Sequence, residues 1–354
     1  RRFIHGSGKK SSCASATAHN PPQHGGLSGS WGEVSLPAMR KTKGLLRNAA
    51  LAFALGAAAS GAYAGAMKES EVEARVENGP LRGTLVMPQN GPAQGSAHAA
   101  VVIVPGSGPT DRDGNNPHGI DAAYLRMLAE ALAEDGIASI RIDKRGMHGS
   151  AGTFADANAV TFADYAGDAL AWVEVAKERA GTECAWLVGH SEGGLVALMA
   201  AQEAGPSLCG LVLLTTPGRP MGVVLAEQLR ANPANALLLE DTLAAIAALE
   251  RGERVEVSGF HPALQGMFAP AVQDFLIDAF SHDPAALIAS VRLPVLIVQG
   301  DADMQVSLED GQALSRAQPA AGHVVVPGMN HVLKQVPAGD IAANLASYRD
   351  PSLP

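Results

Sequence analysis

The sequence has 354 residues, of which 47% are hydrophobic and 17% charged, and its formal net charge is −9. Eight of the 26 Lys and Arg residues, but only one of the 35 acidic residues, lie in residues 1–64. Residues 65–354 therefore hold 18 basic and 34 acidic residues, a net charge of −16. This composition is typical of a globular protein and excludes a disordered or collagen-like chain. Because such an acidic body repels polyanions, we expect no nucleic-acid partner.

The first 64 residues are expected to lie outside the folded domain. From Met39 the sequence has a basic stretch, an apolar run over 49–59 and small-residue sites that end at Ala64 and Ala66. This order is typical of a secretory signal peptide. The apolar run is shorter than the roughly 20 residues that a membrane-spanning helix needs. We therefore expect a signal peptide at 39–64, export to the periplasm or the extracellular space, and no stable membrane insertion after cleavage. Residues 1–38 lack periodicity and are interpreted as upstream or vector-derived sequence without function.

Short apolar runs alternate with longer helical patterns through residues 65–354. The predicted strands are 71–76, 81–87, 101–104, 137–142, 185–189, 211–214, 295–298 and 324–326. Outside one long insertion, the predicted helices are 121–134, 161–179, 192–204 and 338–348. Such alternation indicates crossover units and a mostly parallel sheet.

The long insertion follows the sixth strand. Residues 217–290 contain no strand pattern but several helical stretches, including 232–250 and 271–280. A segment of this length is too long for a structureless loop. It therefore predicts a helical cap at about 217–290, whose Leu-rich helices either line a pocket or pack onto the cap itself.

A candidate nucleophile lies in the sequence GHSEGG, residues 189–194. This is a G-x-S-x-G motif between a predicted strand and a predicted helix, the context in which the Ser hydroxyl projects at the carboxyl end of a sheet. Ser191 is the predicted nucleophile. The amide of Glu192, the next residue, is predicted to donate to an oxyanion.

A nucleophilic Ser needs a base, and the base needs an orienting carboxylate. With this motif, the acid is expected first along the chain and the His second, each after a later strand. Asp303 is the predicted acid, with Asp301 as the fallback, and His331 is the predicted base because it alone follows the last strand. The other histidines of residues 65–354 are interpreted as surface or packing residues: His98, His118, His148, His190, His261, His282 and His323.

The second oxyanion donor is expected in the glycine-containing loop 105–109, after the strand 101–104. The amide of Ser107 is the predicted donor. The alternatives are a simple tight turn or a phosphate-binding loop. The Lys-Ser/Thr signature of a P-loop does not follow this segment, which argues against nucleotide binding.

Five motifs occur in the order of a known superfamily: VPGSGPTDRDGN, RIDKRGMHGS, VGHSEGG, QGDADMQV and PGMNHVLK. Together they resemble the α/β-hydrolase superfamily, in particular a bacterial, often exported, esterase-like group of serine hydrolases. The resemblance covers nearly all of residues 70–350. The resemblance implies a mostly parallel central sheet with flanking helices and a helical cap. It also implies the same triad, Ser191, Asp303 and His331, and the same oxyanion amides, those of Ser107 and Glu192.

Two charged segments accompany these motifs. Asp143, Lys144 and Arg145 are predicted to brace loops near the site, with substrate contact as the alternative. Arg112, which stands between two Asp residues, is interpreted as a salt-bridged lock of its loop, or alternatively as a contact for a substrate carboxylate.

Cys184 and Cys209 are the two cysteines of residues 65–354. Each lies just before a predicted strand, so a disulfide is geometrically possible in an oxidising compartment. Two separate buried thiols are the alternative. Neither has a second Cys or His at metal-ligand spacing.

The sequence thus predicts an exported serine hydrolase that cleaves small-molecule carboxylic esters through an acyl-enzyme, without a metal or organic cofactor. An amide or peptide hydrolase or an acyltransferase with the same triad is the alternative among enzymes, because fold and triad do not determine the substrate. A non-catalytic binding protein of the same fold is the alternative outside them. The oligomeric state stays open.

Overall fold

The computed structural model describes residues 67–77, 79–89, 97–154 and 156–353. The signal peptide predicted at 39–64 and the upstream residues 1–38 lie outside these described residues. In the described part of the chain, the strands of the sheet are β1 (Met67–Val76), β2 (Gly79–Pro88), β3 (Ala99–Val104), β4 (Ile137–Ile142), β5 (Ala185–His190), β6 (Leu208–Leu214), β7 (Val295–Gly300) and β8 (Gly322–Val326).

These strands form a single sheet in the order β1-β2-β4-β3-β5-β6-β7-β8. The pairs β1–β2 and β2–β4 are antiparallel, and every pair from β4–β3 to β7–β8 is parallel. Every residue of β3, β5 and β7 is buried, as expected for parallel strands that are covered on both faces. The mostly parallel sheet predicted from the sequence is confirmed, and the architecture is that of an α/β-hydrolase.

Helices cover both faces of the sheet and form the insertion. The described helices are α1 (Tyr124–Glu134), α2 (Phe162–Ala180), α3 (Glu192–Ala200), α4 (Met221–Ala231), α5 (Leu239–Glu250), α6 (Pro262–Met267), α7 (Gln273–Phe280), α8 (Pro284–Ser290), α9 (Leu308–Ala317) and α10 (Ile341–Ser347). Helix α2 begins with a capping box between Thr161 and Asp164 and ends at Gly181, which adopts the left-handed conformation. The helix predicted over 161–179 agrees with these ends to within one residue.

Other helix ends differ from the prediction. Helix α1 begins at Tyr124 instead of residue 121, because Ala123 has φ of 49° and a helix cannot continue through that conformation. The stretch predicted as one helix over 232–250 contains a short 3-10 turn at Pro233–Asn235 before α5. Pro233 accounts for the end of α4, because it disfavours the helical conformation at the preceding residue, Asn232, which is extended; it lies in the first turn of the 3-10 segment and does not explain the gap before α5. Helix α9 was not predicted from the sequence.

The insertion after β6 is helical, as predicted. Helices α4 to α8 lie between β6 and β7, so the helical cap predicted after the sixth strand is confirmed. Ile246, Leu249 and Phe268 are buried in the same core cluster as residues of the sheet. Leu237, in contrast, is 97% exposed. Among the described elements, α4 contacts α5, and α7 contacts both, so these cap helices pack onto one another, which is one of the two alternatives stated for them.

Cys184 and Cys209 form a disulfide, with their Cα atoms 5.3 Å apart. Cys184 directly precedes β5, and Cys209 lies near the start of the neighbouring strand β6. Of the two alternatives that the sequence left open, the structure contains the disulfide. It joins the amino-terminal ends of two adjacent strands, at the sheet edge opposite to the one where Ser191 follows β5.

Candidate active site

Ser191 lies in a sharp turn between β5, which ends at His190, and α3, which begins at Glu192. Its backbone has φ of 54° and ψ of −121°, an unusual conformation for a residue other than glycine. Strain of this kind persists where the surrounding structure imposes it, and it is the geometry of the nucleophile elbow. Ser191 is partly exposed, whereas residues on both sides of it are buried.

The glycines of the motif permit close packing around this turn. A Cβ atom on Gly189 would collide with the backbone of Gly193. A Cβ atom on Gly193 would collide with the carbonyl oxygen of Val104, at the end of β3, and one on Gly194 with the side chain of Thr216. Within the motif, Ser191 is the residue that adopts the positive φ. The glycines are needed for a different reason, because the helix approaches the strand ends too closely for a side chain there.

The predicted acid and base are in direct contact. His331 Nδ1 lies 2.9 Å from Asp303 Oδ2, and the two side chains are 7% and 0% exposed. The other carboxylate oxygen of Asp303 accepts from the amides of Gln305 and Val306 at 2.7 and 2.9 Å. The carboxylate is therefore oriented toward His331. Among the described residues, no hydrogen bond joins Ser191 to His331, and such bonds are often long before a substrate binds.

The fallback residue has a different position. Asp301 is exposed, and its Oδ1 accepts from the amide of Gly328 at 2.6 Å, in the loop that leads to His331. Asp301 thus supports the loop of the predicted base, while Asp303 contacts the base itself.

His190 is a residue of the site that sequence reasoning missed. Its Nε2 lies 2.7 Å from the carbonyl oxygen of His331, and its Nδ1 lies 3.2 Å from the hydroxyl of Tyr124. A carbonyl oxygen only accepts hydrogen bonds, so Nε2 carries the hydrogen and Nδ1 accepts from the hydroxyl. Burial, together with the nearby His331, lowers the pKa of His190 to about 3. His190 is therefore a neutral support for the backbone of His331, and its place within the GHSEGG motif was the only sequence signal.

The loop 105–109 lies against the elbow, as predicted for the oxyanion loop. A Cβ atom on Gly106 would lie 3.2 Å from Ser191 Cβ and 3.1 Å from His190 Nδ1. In the part of the chain that the structure describes, the amide of Ser107 donates to no protein acceptor. Glu192 is the first residue of α3, where an amide has no partner within its own helix. Loop 105–109 thus lies against Ser191, and among the described residues neither predicted donor amide has a protein acceptor.

The family model for serine aminopeptidases, S33, matches residues 118–334, which is more than half of the chain. The chain belongs to the S33 serine aminopeptidase family. Among curated proteins, esterase EstD of Thermotoga maritima is 29% identical over 246 residues. That match covers 66% of this chain and 54% of the esterase, so the chain spans about half the length of this curated relative.

Solved structures share the fold of this S33 family member. The crystal structure of a proline iminopeptidase from Mycobacterium smegmatis has a TM-score of 0.50 at 16% identity, covering 74% of this chain and 92% of that chain. Est1E from Butyrivibrio proteoclasticus, with ferulic acid bound, has a TM-score of 0.50 at 20% identity, covering 78% of this chain and 96% of that chain. At these identities the similarity shows the fold alone.

Arg112 forms a salt-bridged lock in this S33 family member, but with other partners than its sequence neighbours. Its Nη2 lies 2.6 Å from Asp143 Oδ2, and its Nη1 lies 2.8 Å from Glu71 Oε2. Asp111 and Asp113, which flank it, do not contact its side chain: Asp111 accepts backbone amides of its own loop, and Asp113 pairs with another arginine. The lock was predicted correctly, whereas the implied partners were wrong, because sequence proximity does not determine side-chain pairing.

The other charged residues after β4 also brace buried loops. Asp143 forms a salt bridge with Arg112, and Arg145 Nε donates a hydrogen bond to Asp168 of α2 at 2.8 Å. Lys144 donates to Gly106 and Glu192. The bracing role predicted for this segment is confirmed.

The described residues contain neither a candidate metal site nor a candidate membrane span. Among the described residues, no group of three or more His, Cys, Asp and Glu side chains is arranged to hold a metal ion. In the same residues, no helix is both long and apolar enough to cross a bilayer.

Proposed function

We propose that this protein hydrolyses carboxylic esters of small molecules with Ser191 as nucleophile, His331 as base and Asp303 as the orienting acid. The buried contact between His331 and Asp303 carries the proposal. It holds the two residue types that a nucleophilic serine requires, on the loops where this fold has them. The esterase name of the curated relative supports ester substrates.

The first half of the reaction forms an acyl-enzyme. His331 Nδ1 donates its hydrogen to Asp303, which leaves Nε2 to take the proton of the Ser191 hydroxyl. The serine oxygen attacks the acyl carbon, and the amides of Ser107 and Glu192 donate to the oxyanion that forms. When this intermediate collapses, the protonated His331 gives its proton to the departing alcohol.

The second half releases the acid. Water loses a proton to His331 and attacks the acyl carbon, the same amides hold the second oxyanion, and Ser191 leaves with the returned proton. Throughout, Asp303 stabilises the protonated imidazole and keeps it in one orientation. No step calls for a cofactor.

The decisive experiment compares the wild-type protein with Ser191→Ala on p-nitrophenyl esters of short and medium acids. We expect turnover by the wild type and its loss in the variant, together with covalent labelling of Ser191 by a fluorophosphonate. A folded wild-type protein that neither hydrolyses the esters nor takes the label would refute a catalytic role and favour a binding protein of the same fold.

Amide hydrolysis is the second candidate, because the chain belongs to a family described as serine aminopeptidases. Parallel assays on p-nitroanilides of amino acids and on the matched p-nitrophenyl esters separate the two. We expect a higher kcat/KM for the esters. The opposite ranking, with loss of both activities in Ser191→Ala, would make the protein an aminopeptidase or amidase. Transfer to an added alcohol in place of water would indicate an acyltransferase.

We also propose that the protein is exported. The pattern of residues 39–64 is that of a signal peptide, and the Cys184–Cys209 disulfide is of the kind that persists in oxidising compartments. We expect protein from the periplasmic or extracellular fraction to react with a maleimide at Cys184 and Cys209 only after denaturation and reduction. Protein found in the cytoplasmic fraction with both thiols free would contradict export.

A further inference from the structure

A buried lysine connects the two predicted parts of the oxyanion hole. Lys144, in the loop after β4, donates from Nζ to the carbonyl oxygen of Gly106 at 2.7 Å and to Glu192 Oε1 at 2.9 Å. The side chains of Lys144 and Glu192 are each 2% exposed. The mechanism above assigns no role to this pair.

The carbonyl of Gly106 and the amide of Ser107 belong to the same peptide unit. In a planar trans peptide the C=O and N–H bonds lie in one plane and point in opposite directions. A group that holds the carbonyl oxygen of Gly106 therefore also determines where the Ser107 N–H points. The other partner of Lys144 is Glu192, whose own amide is the second predicted donor.

We infer that Lys144 is a positioning residue that aims both oxyanion donors at the reacting acyl group. We call Lys144, the Gly106–Ser107 peptide and Glu192 the oxyanion clamp. The inference rests on the proposed function, because it concerns the transition state of the same reaction. Lys144 does not itself touch the substrate.

The chemistry of the contact also strengthens the donor. A cationic N–H that donates to a carbonyl oxygen draws electron density toward that oxygen, which makes the N–H of the same peptide a better donor. The Glu192 carboxylate balances the buried charge of Lys144, and the ring of Tyr165 lies 5.4 Å from Nζ. Donors that are aligned before the reaction do not have to reorganise when the oxyanion forms.

A purely structural ion pair is the competing explanation. Breaking a buried pair by removing one partner destabilises a protein, since the other charge is left uncompensated. Loss of activity in a single variant would therefore not separate positioning from folding. Arg145 offers a matched control, because it is the adjacent buried cation, pairs with Asp168, and among the described residues forms no hydrogen bond or salt bridge with loop 105–109.

The test compares Lys144→Met, Lys144→Met/Glu192→Gln and Arg145→Met with the wild-type full chain. The double variant removes both charges, so no unpaired carboxylate remains. We expect kcat on p-nitrophenyl esters to fall about 10- to 100-fold in both Lys144 variants, below the roughly 100- to 1,000-fold loss on deleting a donor outright. KM should change less than about threefold, since substrate binding is largely independent of the oxyanion interaction.

A transition-state analogue gives a readout that a structural role would not affect. A trifluoromethyl ketone forms an adduct with Ser191 that carries the oxyanion, so its affinity should fall by the same factor as kcat. Arg145→Met should lose thermal stability but keep kcat and the affinity for the ketone. An unchanged kcat in the folded double variant, or an equal loss in Arg145→Met, would overturn the inference.

The outcomes also separate this inference from the proposed function. If the wild type labels with a fluorophosphonate but hydrolyses no ester, ester hydrolysis is wrong, and the labelling rates of the same variants test the clamp. A 10-fold or greater drop in the labelling rate for both Lys144 variants would then support it, and equal rates would overturn it. If the wild type neither labels nor hydrolyses esters, both the function and the clamp are overturned.

Discussion

The buried His190 makes a quantitative prediction about stability and pH. Burial and the nearby His331 lower the pKa of His190 from 6.5 to about 3, so the folded protein keeps this imidazole neutral. In the unfolded chain it protonates near pH 6.5, so between these values the unfolded state binds more protons. Stability must then rise with pH across this window and fall as the pH drops below about 6.5. One pH unit corresponds to about 1.4 kcal/mol, so His190 should destabilise the fold by about 3 kcal/mol at pH 4.5.

The assay compares urea unfolding of the wild type and His190→Gln at pH 7.0 and pH 4.5, with the disulfide intact. Gln does not titrate, yet its amide can donate to the carbonyl of His331 and accept from Tyr124. Contributions of the carboxylates are common to both proteins and cancel in the comparison. We expect the difference in unfolding free energy, wild type minus variant, to be about 3 kcal/mol smaller at pH 4.5 than at pH 7.0. An identical pH dependence of the two proteins would refute the neutral, buried state of His190.

Three further predictions concern the acid, the disulfide and the elbow. Asp303→Asn should lower kcat by about 10,000-fold, as loss of the orienting carboxylate does in a serine triad. Asp301→Asn should retain most activity, because its side chain supports the loop of His331. Similar losses of kcat in the two variants, measured by steady-state kinetics, would contradict the assignment of Asp303 as the acid. Replacing Cys184 and Cys209 by Ala removes a cross-link between residues 25 apart and should cost roughly 3 kcal/mol, measured by chemical unfolding; an unchanged midpoint would count against the disulfide. Gly193→Ala places a Cβ against the carbonyl at the end of β3, so a lower melting temperature and weaker fluorophosphonate labelling are expected, and wild-type values would contradict this packing.

Local patterns predicted the elements of this fold well. The buried strands read as continuous apolar runs, and β4 was predicted at the residues where it is found, Ile137–Ile142. Helix α2 was predicted to within one residue at each end, and the capping residues that fix those ends are local in the sequence. The predicted start of α1 was less accurate, because the left-handed conformation of Ala123 depends on the loop that precedes the helix.

The candidate site could be predicted as far as chain order and motif allow. Ser191, Asp303 and His331 were selected because each follows a strand, and parallel strands bring their carboxyl ends to one edge of the sheet. Sequence alone ranked Asp303 above Asp301, but the contact with His331 appears only in the structure. His190 was set aside as a packing residue, because nothing local shows that its ring reaches the backbone of a residue 141 positions away.

The sequence by itself determined the strand and helix order, the position of the cap and the set of residue types that meet at the sheet edge. These follow from hydrophobic periodicity, capping and turn chemistry, which act over a few residues. The tertiary structure alone decided the partners: Arg112 with Asp143, Cys184 with Cys209, and Lys144 with both Gly106 and Glu192. Charged and polar groups have many possible partners along a chain, and only the packing of the sheet and its loops brings one of them within bonding distance.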